Sequence, residues 1–209
     1  LGYDYLAQEL VALGTNGALK YVSSRLPDAA VLACSASGDL AVLRQPSDRG
    51  GPDDQGWVSA PMALLDSIGR QTRALGTIRA FQSLPFTGSM TPRPLGAVTS
   101  LALTAHALFV GVGDSAAIER YDISRGSKRS IPLDIPPRKP LQQHLSAAAS
   151  ALAAFQPKQR SRSALERKLR RAPMPHWLPP YFGVHRDHTH GVWVVLSPPG
   201  DTLNQLISG

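Results

Sequence analysis

The chain has 209 residues, 43% of them apolar, with a mean hydropathy of −0.11 and a net charge of +7. That length can bury a core in one large or two small domains, and no run of eighteen apolar residues is present to cross a bilayer. The single cysteine, Cys34, excludes an intramolecular disulfide, while eighteen Gly and eighteen Pro suit many short strands joined by turns better than a helical bundle.

The chain begins at Leu1 with neither an initiator Met nor a basic-then-apolar leader, and reads as a fragment or a processed form. Six stretches then share one plan: an alternating apolar run, a polar turn that usually carries Gly, and a second run. In order they are "LVALGTNGALKYV" (10–22), "AVLACSASGDLAVLR" (30–44) and "MALLDSIGRQTRAL" (62–75), then "SLALTAHALFVGVG" (100–113), "AIERYDISRGSKRSI" (117–131) and "YFGVHRDHTHGVWVVL" (181–196). Alternation at period two, broken by TNG, ASG or SRG, predicts β-hairpins.

The hairpins fall into two alternating kinds. Those at 30–44, 100–113 and 181–196 have apolar second strands, "LAVL", "LFVGV" and "VWVVL", which read as buried on both faces. Those at 10–22, 62–75 and 117–131 have polar second strands that read as outer edges. An inner hairpin followed by an outer one predicts a four-stranded antiparallel sheet, and radial repetition of such sheets makes propeller blades. Residues 98–131 are expected to form one such sheet, with Leu101, Leu103, Val110 and Val112 toward its neighbours.

The inner hairpins start further apart than one blade of about 40–50 residues, so insertions are required. One is the Gly/Pro/Asp loop "RQPSDRGGPDDQGWVSAP" (44–61). The other is basic: residues 138–171 hold nine Lys and Arg against Glu166 alone, +8 in all, which leaves −1 for the rest of the chain. Within it, 141–171 reads as a helical insertion. Leu141, Leu145, Ala149, Leu152 and Phe155 make one apolar stripe at helical spacing. After Pro157 a second helix is expected, N-capped by Ser163, with Arg170 and Arg171 at the end that the helix dipole favours for cations. A solvated charged helix accounts for this segment, because a nucleic-acid patch with interleaved aromatics is absent.

Residues 185–190 hold His185, Asp187, His188 and His190, a candidate metal cluster. The sister hairpins carry no such cluster, and a tetrahedral zinc site needs three or four converging ligands. The expectation is therefore a polar hairpin turn with no metal. No nucleophile elbow, HExxH or phosphate-binding Gly loop appears, and Gly111 and Gly113 lie ahead of a strand, not a helix. No catalytic, cofactor-binding or metal-binding residues are assigned.

Two stretches carry a family resemblance. Gly111, Gly113 and Asp114 close one strand; then come Ile118, Tyr121 and Asp122, the turn Gly126, Arg129 and Ile131, and the exit Pro137 and Arg138. After the helical insertion follow Pro180, Tyr181, Phe182, Asp187, Gly191, Trp193 and Val194. This resembles the bacterial six-bladed β-propeller proteins of the NHL-like type, well over about 60–200 and only as pattern over 1–45. Two departures are a turn one residue longer at Asp187–Gly191 and Ala105-His106-Ala107 in place of a turn Gly.

The resemblance implies an all-β propeller domain over 1–209, with three to four of six blades present, an open ring prone to association, and the helical insertion between blades. The fold hosts many unrelated functions. The expected function is a binding or scaffold protein for an unknown protein or small-molecule ligand, without a cofactor, in an exported (periplasmic or extracellular) setting. One alternative is a propeller hydrolase or lyase with a metal in the central channel. Related lactonases hold calcium with carboxylates and an Asn, however, and Asn occurs here only as Asn16 and Asn204. The other alternative is an anionic partner bound by the basic insertion.

Overall fold

A computed structural model describes residues 2–4, 9–13, 19–25, 29–35, 37–44, 52–84, 91–154, 159–187 and 191–196. Their strands form four antiparallel sheets. The first contains β1 (Gly2–Asp4), β2 (Glu9–Leu13) and β3 (Leu19–Arg25). The second runs in sequence order through β4 (Ala29–Cys34), β5 (Leu40–Arg44), β6 (Trp57–Leu65), β7 (Gln71–Leu84) and the short β8 (Thr91–Pro92). The third contains β9 (Ser100–Leu103), β10 (Ala107–Gly111), β11 (Ala117–Asp122) and β12 (Lys128–Pro132), and the fourth β13 (Tyr181–Arg186) and β14 (Val192–Leu196).

All six hairpins predicted from alternation form, and the inner and outer ones fuse. Leu40 to Leu43 pair with Leu65 to Met62, and Leu108 pairs with Tyr121, so β4–β7 and β9–β12 are each one meander. The expected sheet across 98–131 is present without a helix. The loop at 44–61 is shorter than its composition suggested. Residues 57–61 join β6, where Trp57 (2% exposed) and Val58 pair with Gln82 and Phe81 of a β7 that runs on to Leu84. Apolar burial overrides the Gly/Pro/Asp signal there.

The sheets stack face to face. Ala33, Leu43, Met62 and Leu64 of the second sheet pack against Leu101, Leu103, Leu108 and Val110 of the third, with Val112 partly buried beside them. The third sheet's other face, Ala102 and Ile118, packs on Tyr181 and Val184 of the fourth. First strands meet first strands: β9 lies against β4 and against β13. Ser100 Oγ accepts the Val184 N–H at 2.9 Å, and Arg186 Nη1 reaches Cys34 O at 3.5 Å, joining the ends of the two strands that flank β9.

Gly111 makes the closest approach among the described glycines. A Cβ there would lie 2.5 Å from Val184 Cγ2 and 2.7 Å from Tyr181 Cε2. The Tyr181 hydroxyl then donates to Ala117 O (2.8 Å) and accepts from the Gly113 N–H (3.2 Å). The Gly-x-Gly ending of the third sheet is a socket for the next sheet's tyrosine.

The apolar second strands do not all share one fate. β5 is buried from Leu40 to Leu43, but in β14 Trp193 is 64% exposed and Leu196 is exposed as well. The expectation of burial on both faces fails for "VWVVL", because among the described residues a sheet covers only its Val192 and Val194 side.

Between β12 and β13 lie α1 (Gln142–Ala154) and α2 (Gln159–Leu169). Leu145 packs on Leu95 and Leu178, and Ala149 on Leu84, Leu169 and Ala172, so the insertion rests on the connection between the second and third sheets. Two details of the predicted stripe change. Leu141 precedes the helix and is exposed, while its N–H donates to His144 Nδ1 at 3.1 Å, a side-chain-to-N-cap bond of capping-box type. His144 takes the buried place instead. Phe155 lies outside the described residues. Ser163 is no N-cap, since α2 starts at Gln159 and encloses it.

Candidate functional site

The histidine-rich turn is held by its aspartate. Asp187 Oδ1 accepts the Gly191 N–H at 2.7 Å and Oδ2 accepts Trp193 Nε1 at 2.6 Å. The same device recurs where Asp53 Oδ1 accepts the N–H groups of Gln55 and Trp57, and where Asp66 Oδ1 accepts those of Ile68 and Arg70. At Asp122 the Arg125 N–H and the Ser124 hydroxyl hold the carboxylate below its ordinary pKa. Asp187 is thus a turn-forming residue, with both oxygens engaged. His188 and His190 lie outside the described residues. Among the described residues no three His, Cys, Asp or Glu side chains gather at metal-binding distance.

The remaining sequence candidates are explained by their surroundings. Cys34 is half-buried, and burial pushes its thiol pKa up. On and just after α2, Arg162, Arg167, Lys168, Arg170 and Arg171 are all exposed. Arg170 pairs with Glu166 at 2.6 Å, and Glu166 also accepts the Ser150 hydroxyl of α1. Those two contacts, the serine first, lower the Glu166 pKa. Arg167, Lys168 and Arg171 flank a basic depression of about 360 Å³.

A different site was not legible in the sequence. A cleft of about 280 Å³ opens where four stretches converge: Gln82 at the end of β7, the turn Arg93–Ala97, the Gly113–Asp114 turn, and the proline-rich run 175–180. Arg93 is anchored through its backbone, its N–H donating to Gln82 O and its C=O accepting from the Gly96 N–H. Leu95 in the same turn has φ +58°, a conformation unusual for a γ-branched residue, and is pinned against Leu145 and Leu178.

Side-chain chemistry in the cleft is unevenly satisfied. Arg93 Nη2 donates to Pro173 O at 3.0 Å, its Nε is buried without a partner, and it forms no ion pair among the described residues. Asp114, by contrast, is paired with Arg79 at 3.0 Å, and Arg79 stacks over Trp57. The indole of Trp177, 43% exposed, forms an aromatic wall. The His176 ring meets it edge-on at 4.9 Å, and Lys139 Nζ stands 5.9 Å from its centroid. The Leu178 N–H, bonded to Arg138 O, fixes this run beside the chain that leaves β12. Single aromatics and cations in separate loops give no sequence signal, because nothing but the fold relates them.

No family model matches this chain, and no curated protein matches it in sequence. No described helix is long and apolar enough to cross a membrane.

Proposed function

We propose that this chain is part of a six-bladed β-propeller of the NHL-like type and serves as a binding or scaffold protein. One observation supports the reading above others: β4, β9 and β13, the first strands of successive sheets, lie side by side, with Arg186 bridging the ends of the outer two. Propellers repeat four-stranded antiparallel sheets around a channel in this way. On this reading β4–β7 and β9–β12 are whole blades, and β1–β3 and β13–β14 belong to others. Binding is favoured because several inter-strand connections converge on one cleft, where Arg93 Nε has no hydrogen-bond partner. The hydrolase or lyase alternative needs carboxylates on channel-facing strands, and β4, β9 and β13 contain none.

A thermal-shift screen over a panel of small metabolites, with and without divalent cations, tests this reading alongside turnover of chromogenic esters and lactones. Stabilisation without turnover supports a binding protein. Metal-dependent turnover overturns it in favour of the enzyme.

A second reading has its own observation. Arg162, Arg167, Lys168, Arg170 and Arg171 of α2 and its exit face solvent, as a docking surface for an acidic partner requires. Salt-sensitive binding of a polyglutamate peptide, lost when Arg167, Lys168 and Arg171 become Gln, supports it; salt-insensitive or absent binding counts against it.

A further inference from the structure

We infer that the Arg93–Trp177 cleft is a binding site for a small, planar organic carboxylate, in particular an aromatic one. The inference rests on the binding-protein reading and names its ligand class. Three features select that chemistry.

The first is an unspent guanidinium. Arg93 has five N–H donors in a rigid fork, of which one hydrogen bond, to Pro173 O, is made among the described residues, while its buried Nε has no partner. A buried donor without a partner is costly, and a carboxylate is the group that the fork fits through two parallel bonds. The backbone of Arg93 is anchored through Gln82 and Gly96, and the bond to Pro173 O holds its guanidinium, so part of the ordering cost is met before binding.

The second is the charge balance. Among the described residues the only carboxylate lining the cleft is Asp114, already neutralised by Arg79 at 3.0 Å. Arg93 and, beside Trp177, Lys139 have no carboxylate partner among the described residues, so the cleft carries a net positive field. A cation as ligand is disfavoured.

The third is shape. Trp177 presents its half-exposed indole to a space of about 280 Å³, just under the usual range for ligand pockets. That suits a single ring bearing a carboxylate. Stacking of such a ring on an indole adds to the gain from apolar burial. The basic depression beside α2 has cations but, among the described residues, no aromatic lining, which is why the planar ligand is assigned to the cleft and not to it.

The test uses benzoate, with benzamide and inorganic phosphate as controls, by calorimetry on the full chain and on Arg93→Gln, Arg93→Lys and Trp177→Ala. The expected result is millimolar or tighter benzoate binding, at least tenfold weaker in Arg93→Gln and in Trp177→Ala, with benzamide at least tenfold weaker than benzoate. Arg93→Lys should fall in between, since it keeps the charge and loses the fork. Absence of benzoate binding to the wild type, equal binding of phosphate, or benzoate affinity unchanged in Arg93→Gln each overturns the inference. If Arg93→Gln fails to fold, Trp177→Ala and the benzamide comparison decide alone. Failure here with stabilisation by some other metabolite leaves the binding-protein reading intact; failure of both screens removes it as well.

Discussion

The hairpins β9–β10 and β13–β14 are written in the same alternating pattern, and each opens its sheet, yet they meet different surroundings. Val110 on β10 is 1% exposed and Trp193 on β14 is 64% exposed. The third sheet is covered by the second on one face and the fourth on the other, whereas a described sheet covers only one face of β13–β14. Alternation therefore reports which residues are apolar, and the stacking of sheets decides which of them are buried. Interlocking is where that stacking is strongest, so it is the place to break the contrast.

The largest effect is expected at Tyr181. It is 2% exposed, fills the space over Gly111, and bonds Ala117 O and the Gly113 N–H. Tyr181→Ala should cost about 3–5 kcal/mol, in the range of large aromatic deletions from cores, measured by urea unfolding. A cost under about 1 kcal/mol would mean that the third and fourth sheets do not depend on this contact. Next comes the socket. Gly111→Ala should cost about 1–3 kcal/mol through overpacking, and Val184→Ala in the same chain should recover part of it, because Val184 Cγ2 is the nearest obstacle. Additive losses in the double variant would show that the clash lies elsewhere.

Tyr181→Phe keeps the ring and removes the hydroxyl, leaving Ala117 O and the Gly113 N–H without this partner, at about 1–2 kcal/mol. It also separates a pH effect. Burial, above all, raises the Tyr181 pKa beyond its ordinary 10.0. The folded state then holds the phenolic proton more tightly than the unfolded one. This stabilisation is complete below pH 10 and is lost as pH rises through the folded value. Unfolding curves from pH 8 to 11 should show the wild type losing more stability above pH 10 than Tyr181→Phe does. Equal losses would assign the alkaline step to other groups.

The fold was legible to the extent that local pattern determines it. Alternation located all six hairpins, and the contrast between apolar and polar second strands correctly joined four of them into two sheets, β4–β7 and β9–β12. Asp53, Asp66, Asp122 and Asp187 were also readable in principle, since each caps the main chain of a turn through bonds within four residues. Gly111 was visible as part of a motif, but its reason was not, because the side chains that need the space are Tyr181 and Val184, across the helical insertion. The cleft was invisible for the same cause: Arg93, Asp114 and Trp177 acquire their meaning from packing between sheets, which no window along the chain contains.

The smallest effect is expected at Trp193, and it sharpens the comparison most. A buried tryptophan removed from a core costs about 3–5 kcal/mol, and from sequence alone the large ring inside "VWVVL" invites that figure. Its 64% exposure removes most of the burial that the figure presumes, and its Nε1 bond to Asp187 Oδ2 is made at the surface. Asp187 keeps its bond to the Gly191 N–H when the indole goes, so the turn retains its closure. Trp193→Ala should then cost less than about 1 kcal/mol in dilute solution, as surface changes do. A loss of about 3 kcal/mol would mean that the indole is covered in solution. Light scattering across the same concentration range would then identify the cover: a stability that rises with concentration together with a doubled mass assigns it to a second copy, and a constant monomer assigns it to this chain's own residues.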